Sequence, residues 1–192
     1  SVWANAQPTF RPTATGNLAV GHNGNLTNTE ALTHQLHHDD RRHLNTTSDT
    51  ELLVNVLASE TLRAGNGDSF DPEHLFSAIS RVHERVEGSY AAIALIAGHG
   101  LVAFRDPFGI RPLVLGRRQA GLLGSEWAVA SESLVLESGG YELVADVAPG
   151  EAVFISNDGE MTTRQCASDP ALFPCSFEYV HLARPDSIID GI

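Results

Sequence analysis

The sequence predicts an α+β domain built in layers, with mostly antiparallel sheets packed face to face and helices outside them. Three observations carry this. Helical apolar spacing is confined to the first half of the chain, and strand-like segments fill the second half. Most of those segments are joined by short hairpin loops, as in antiparallel rather than parallel sheets. Finally, strand segments such as Ala91 to Ile96 are apolar at successive positions, so both faces of a sheet need cover. At 192 residues the chain is long enough for one domain with a sizeable core.

The elements follow in order. The first 17 residues are rich in Pro, Thr, Asn and Ala and are expected to be loop. Leu18 to Gly21 reads as a short buried strand running into His22-Asn23-Gly24-Asn25, a turn signal. Thr27 or Asn28 is placed to cap a helix carrying Ala31, Leu32, Gln35 and Leu36, and His37 to Asn45 is a polar loop. Ser48-Asp49-Thr50-Glu51 has the form of a capping box ahead of Leu52, Leu53, Val56 and Leu57 at helical spacing. Gly65-Asn66-Gly67 ends that helix. Asp71-Pro72 starts the next one, whose apolar face is Leu75, Ile79, Val82 and Val86. Strands are expected over 89–97, 101–105, 112–115, 127–130, 152–156, 160–165 and 177–182, with a short helix from Ser131 or Ser133 through Glu137.

Composition excludes several partners. There are 24 acidic residues against 12 basic ones, all 12 of them arginine, for a net charge of −12. Such a chain is repelled by nucleic acid and by anionic membranes. No apolar run approaches the roughly 20 residues of a membrane span, and no signal peptide is expected. Two cysteines, Cys166 and Cys175, are too few for a disulfide scaffold, so the expected compartment is the cytoplasm. The start at Ser1 and the end at Asp190-Gly191-Ile192 both read as cuts.

Several segments can carry chemistry. In Asn23-Gly24 a side-chain amide and a backbone N–H at the end of a buried strand offer two neutral donors to one oxyanion; the local alternative, which the dipeptide alone favours, is a hairpin turn. Asp49, in the first turn of a helix, either serves that terminus or meets a substrate ammonium, and the cap is the better local reading. Arg105-Asp106-Pro107-Phe108-Gly109-Ile110-Arg111-Pro112 is good turn chemistry. Its two arginines either bind phosphate or hold the turn through Asp106, and the structural role is favoured. The paired His37 and His38 lack the spacing of a zinc site. Neither a Walker motif nor a dinucleotide fingerprint is present.

Together, Gly21 to Asn28, Asn45 to Glu51, Gly88 to Ala91, Phe104 to Gly116, Val129 to Ser133, Asp146 to Glu151 and Phe177 to Asp186 resemble, in order and spacing, the glutaminase domain of amidophosphoribosyltransferases. These belong to the N-terminal-nucleophile amidotransferases. Asparagine synthetases share the Ser-Asp-Thr-Glu stretch and the Asp106 loop, and glucosamine-6-phosphate synthases share the Asn-Gly. The segments Asp146 to Gly150 and Phe177 to Ser187 are what separate this chain from both.

The resemblance implies a four-layer α/β/β/α sandwich, incomplete at the N-terminus. Residues 1–183 would be a partial glutaminase domain, and 184–192 the start of a linker to a phosphoribosyltransferase domain. It implies that Asn23 and Gly24 form the oxyanion hole and that Asp49 binds the glutamine α-ammonium. The nucleophile would be an N-terminal cysteine whose own α-amine, with a pKa near 7.7–8.0, is the base; Ser1-Val2-Trp3 does not match that start. The glutaminase reaction needs no cofactor, while the full-length enzyme would use magnesium and, in some members, a 4Fe–4S cluster. Cys175 lies where cluster-containing members carry one ligand, and a half-buried free thiol is the alternative. Glutamine and the second domain are the implied partners, in a homo-oligomer. Without its nucleophile the 192-residue chain is expected to be inactive. Another amidotransferase of the class, or a non-catalytic scaffold of the same fold, is the alternative function.

Overall fold

The computed structural model describes residues 3–13, 16–65, 70–121 and 124–191. In chain order the elements are β1 (Thr9–Arg11), β2 (Leu18–Leu26), α1 (Thr29–His38), α2 (Asp49–Ala64), α3 (Pro72–Arg85), β3 (Gly88–Ile96), β4 (Gly100–Arg105), β5 (Val114–Gln119), β6 (Ser125–Ala130), α4 (Ser133–Ser138), β7 (Glu142–Asp146), β8 (Glu151–Ser156) and β9 (Met161–Gln165). A 3-10 turn at Trp3–Asn5 precedes them and a π-helical segment, Glu178–Leu182, follows.

The strands form two antiparallel sheets. The larger has the order β1-β2-β3-β4-β8-β9 and the smaller β6-β5-β7. Alternation along each strand sends side chains to two separate cores. Tyr90, Ala92 and Ala94 of β3, with Val102 and Phe104 of β4, meet Leu32, Leu36, Leu53, Leu57 and Ile79 of the helices. Ala91 and Ala103, their neighbours in sequence, pack instead with Val153 against Leu115 of the smaller sheet and Leu113 and Val147 beside it. This is why the run from Ala91 to Ile96 is apolar throughout. On the far side of the smaller sheet Leu136 of α4 lies over Gly116, where a β-carbon would sit 3.0 Å from the leucine. Helices, sheet, sheet and helix make the four expected layers.

Local signals held at several ends. The Ser48 hydroxyl accepts from Thr50 N–H at 3.3 Å, and Asp71 accepts from Glu73 N–H at 2.9 Å with Pro72 opening α3. Gly98 to Gly100 and Asn157 to Gly159 turn the β3–β4 and β8–β9 hairpins. Gly65 caps α2, whereas Asn66, Gly67 and Ser1 fall outside the described residues.

Three expectations are corrected and one strand, β7, is added. The N-terminal segment is not all loop, because Thr9–Arg11 pairs with Leu18–Val20. Asn23-Gly24 is not a turn: both lie inside β2, whose nine residues pair without a break along β3. A continuous partner strand overrides the local preference of the dipeptide. β7 reads poorly from sequence because it is largely exposed and has no apolar alternation. Finally, 177–182 is not a strand. Its aromatic and branched residues fit one, but among the described residues no strand pairs with it, and the chain closes instead with Ala183 N–H donating to the Glu178 carbonyl.

Candidate functional site

The site is built on β2 where it runs beyond β1. In an antiparallel ladder successive residues turn their N–H groups to opposite edges. Tyr90, opposite Gly24, exchanges its backbone bonds with Asp106, its N–H meeting the carboxylate at 3.2 Å and its carbonyl the Asp106 N–H at 2.8 Å. It therefore has none left for Gly24. The N–H groups of His22, Gly24 and Leu26 consequently point to the other edge of β2. His22 N–H donates to the Gln7 side chain at 2.6 Å and Leu26 N–H to the Asp49 carboxylate at 3.3 Å. Between them Gly24 N–H has no protein acceptor among the described residues. Gly24 has φ +155°, and a β-carbon there would run into the Ser89 carbonyl, so only glycine lets β2 and β3 close up here.

Side chains divide by the same alternation. His22, opposite Ala92, faces the helices, where its Nδ1 is 2.9 Å from Thr50 Oγ1 and its Nε2 is 3.5 Å from Asp49 Oδ2. Burial holds the imidazole below its ordinary pKa; Asp49 opposes that shift and Arg111 adds to it, so the ring is neutral at pH 7. Asn23, opposite Ala91, is on the face toward the smaller sheet. There the Arg111 guanidinium donates from Nη2 to Asn23 Oδ1 at 2.8 Å, and from Nη1 to the Glu178 carboxylate. Asn23 Nδ2 has no acceptor among the described residues. Burial raises the pKa of Glu178 and the Arg111 charge works against it.

The loop that carries Arg111 is held by other groups. Asp106 accepts the N–H groups of Tyr90, Phe108, Ile110 and Arg111. Arg105, 1 % exposed, uses all five donors: on the carbonyls of Arg111, Val147 and Gly109, and on both oxygens of Asp190. It has no donor left for a phosphate. The two arginines thus have different tasks, which the sequence presented as one.

The structure brings Asp49 to the same edge of β2 as Gly24. It does not cap its own helix; Ser48 does that. Asp49 Oδ1 makes no protein hydrogen bond among the described residues, and the side chain is 26 % exposed. Cys175 stands apart from these groups, its N–H donating to the Ile110 carbonyl at 3.2 Å. Cys166 is buried, and burial pushes its thiol up to about 11, a poor nucleophile. Among the described residues no three His, Cys, Asp or Glu side chains converge as metal ligands. Nor is any helix there long and apolar enough to cross a membrane. A cavity of about 720 Å³ between the end of α3, the Pro107-Phe108 turn and residues 165–169 contains none of the groups on β2. Sequence reasoning missed Arg111 and Glu178 as neighbours of Asn23. The one signal was a lone acid inside the otherwise uncharged run Phe177 to Leu182.

This fold and edge define a class. The chain belongs to the glutamine amidotransferase domain family, whose pattern matches residues 2–138. Its curated relatives include the amidophosphoribosyltransferase of Pasteurella multocida, 51% identical over 187 residues, and that of Escherichia coli, 48% identical over 192. Each alignment covers 97% of this chain but only 36% and 37% of the relative, so the chain spans little more than a third of their length. The solved glutamine phosphoribosylpyrophosphate amidotransferase of B. subtilis, in complex with ADP and GMP, superposes with a TM-score of 0.81 at 31% identity, over 100% of this chain and 38% of that one.

Proposed function

We propose that this chain is the glutaminase portion of an amidophosphoribosyltransferase, hydrolysing glutamine to supply ammonia for 5-phosphoribosylamine formation from phosphoribosyl pyrophosphate. The observation that carries the proposal is the β2 edge, where the unpartnered Gly24 N–H and the Asn23 amide are neutral donors on adjacent residues. A thiolate attacking the side-chain amide carbon of glutamine forms a tetrahedral oxyanion, which these two donors stabilise where its charge develops. The C–N bond then breaks, ammonia leaves with a proton from the attacking group's base, and water hydrolyses the remaining thioester to glutamate. Asp49 meets the same edge two residues along, at Leu26 N–H, and its other oxygen is available to the α-ammonium of the same glutamine.

The nucleophile in this reading is an N-terminal cysteine, which the 192 residues do not include. This chain produced by itself should therefore release no ammonia from glutamine. The decisive experiment uses the complete enzyme. Asn23→Ala should lower the glutamine-dependent rate by roughly 10²–10³ while the rate with free ammonia, which bypasses the site, is retained. Loss of both together would make Asn23 a structural residue.

A further inference from the structure

We infer that Arg111 positions the oxyanion-hole amide of Asn23, and that Glu178 holds Arg111 in place to do so. The inference rests on the reading of Asn23 as an oxyanion donor and adds what makes that amide present its donor end.

A carboxamide is nearly symmetric in shape, so a half-turn about its last torsion exchanges oxygen and nitrogen. An amide oxygen facing the oxyanion would repel it. Something must therefore choose the orientation, and the strand backbone does not. A guanidinium has donors and no acceptor, so it accepts only one end of the amide. The 2.8 Å bond from Arg111 Nη2 to Asn23 Oδ1 fixes that end and leaves Nδ2 free on the other side. The charge also polarises the amide, which strengthens its N–H groups as donors.

The remaining contacts show that the Arg111 side chain is not needed to hold its own loop. Asp106 and the five-donor Arg105 do that, and Arg105 grips the Arg111 carbonyl at 2.7 Å. Among the described residues Arg111 Nε has no partner. Its two terminal nitrogens reach away from the loop, one to Asn23 and one to Glu178, whose side chain is 6 % exposed. A part-buried ion pair at that point fixes the guanidinium plane, so that Nη2 has one place to go.

A double-mutant cycle in the complete enzyme tests this. Arg111→Met should lower the glutamine-dependent kcat roughly tenfold or more, less than Asn23→Ala, with the glutamine KM changed less than about threefold. In the Asn23→Ala background the same substitution should cost less than about twofold, because no amide remains to orient. Arg111→Lys, still donor-only, should recover part of the loss; Arg111→Gln, which offers an acceptor and tolerates the flipped amide, should not. The ammonia-dependent rate reports folding. If Arg111→Met does not fold, Glu178→Gln is placed in the same cycle and should show a smaller loss that likewise vanishes with Asn23→Ala. Equal losses in both backgrounds would make the arginine structural and overturn the inference. A loss in Asn23→Ala with none in Arg111→Met overturns the positioning role alone. No loss in Asn23→Ala overturns the oxyanion reading beneath it.

Discussion

Asp49 illustrates how one residue's chemistry follows from which group gets to it first. At a helix N-terminus a carboxylate ordinarily turns back on the free N–H groups, but Ser48 already occupies Thr50 N–H, and Asp49 turns to β2 instead. One oxygen is taken by Leu26 N–H and lies near the neutral His22; the other is free. In the proposed role of ligand to a glutamine ammonium it would make a charge-assisted bond of about 1.5–3 kcal/mol. Asp49→Asn keeps the shape and removes the charge. It should raise the glutamine KM of the complete enzyme roughly 10- to 100-fold with little change in kcat, because the ammonium is bound equally in ground and transition states. A fall in kcat at constant KM would assign Asp49 to the chemical step instead.

At the scale of the element, the start of α2 shows a local motif recruited for a longer-range task. Ser48 and Glu51 have capping-box spacing, yet Glu51 does not return to Ser48 N–H. Its carboxylate accepts from Asn45 and Thr46, through backbone and side chains, and pairs with Arg11 of β1 at 2.6 Å. It thereby ties the α1–α2 connection and the edge of the larger sheet to one helix end. Burial pushes the Glu51 pKa up, but these hydrogen bonds outweigh it and hold the group below the usual carboxylate range. A depressed folded pKa means stability that is present above the unfolded value and lost as pH falls through the folded one. Glu51→Gln, which turns an amide donor toward other donors, should cost about 1–3 kcal/mol at pH 7. Urea denaturation should show that difference shrinking below about pH 4; a difference independent of pH would mean that packing, not charge, is what Glu51 supplies.

For the whole molecule, a histidine packed against one of the two cores makes stability depend on pH. His83 of α3 is half-buried against the helix–sheet core, its Nδ1 2.7 Å from the Tyr90 hydroxyl and its ring edge-on to Phe104. Burial pushes its pKa down to about 4, partly offset by the Gly150 backbone. The folded protein excludes a proton that the unfolded chain takes up near pH 6.5, so this contribution is complete above that pH and declines as pH falls toward 4. Over that window it is on the order of 3 kcal/mol. His83→Gln should be less stable than the parent at pH 7, with the gap closing between pH 6.5 and 4 in chemical denaturation. A constant gap would show that the imidazole is protonated in place without breaking the core.

The sequence by itself determined the layers, most helix starts and the two clearest hairpins, because each is written in neighbouring residues: Ser48, Asp71-Pro72, Asn157-Asp158-Gly159, and a strand apolar on both faces. Its motifs also fixed the family. It did not determine that Asn23 and Gly24 lie in a strand, because the dipeptide's preference for a turn is a fraction of what nine residues of pairing with β3 contribute. Nor did it separate Arg105 from Arg111, or join Arg111 to Asn23 across 88 positions and to Glu178 across 67. Those partnerships exist only once the two sheets stack and the segment after Cys175 turns as a helix rather than a strand. Local propensity decides how a segment starts and stops; which donor meets which acceptor at the oxyanion edge is decided by the packing that brings distant segments to one face of β2.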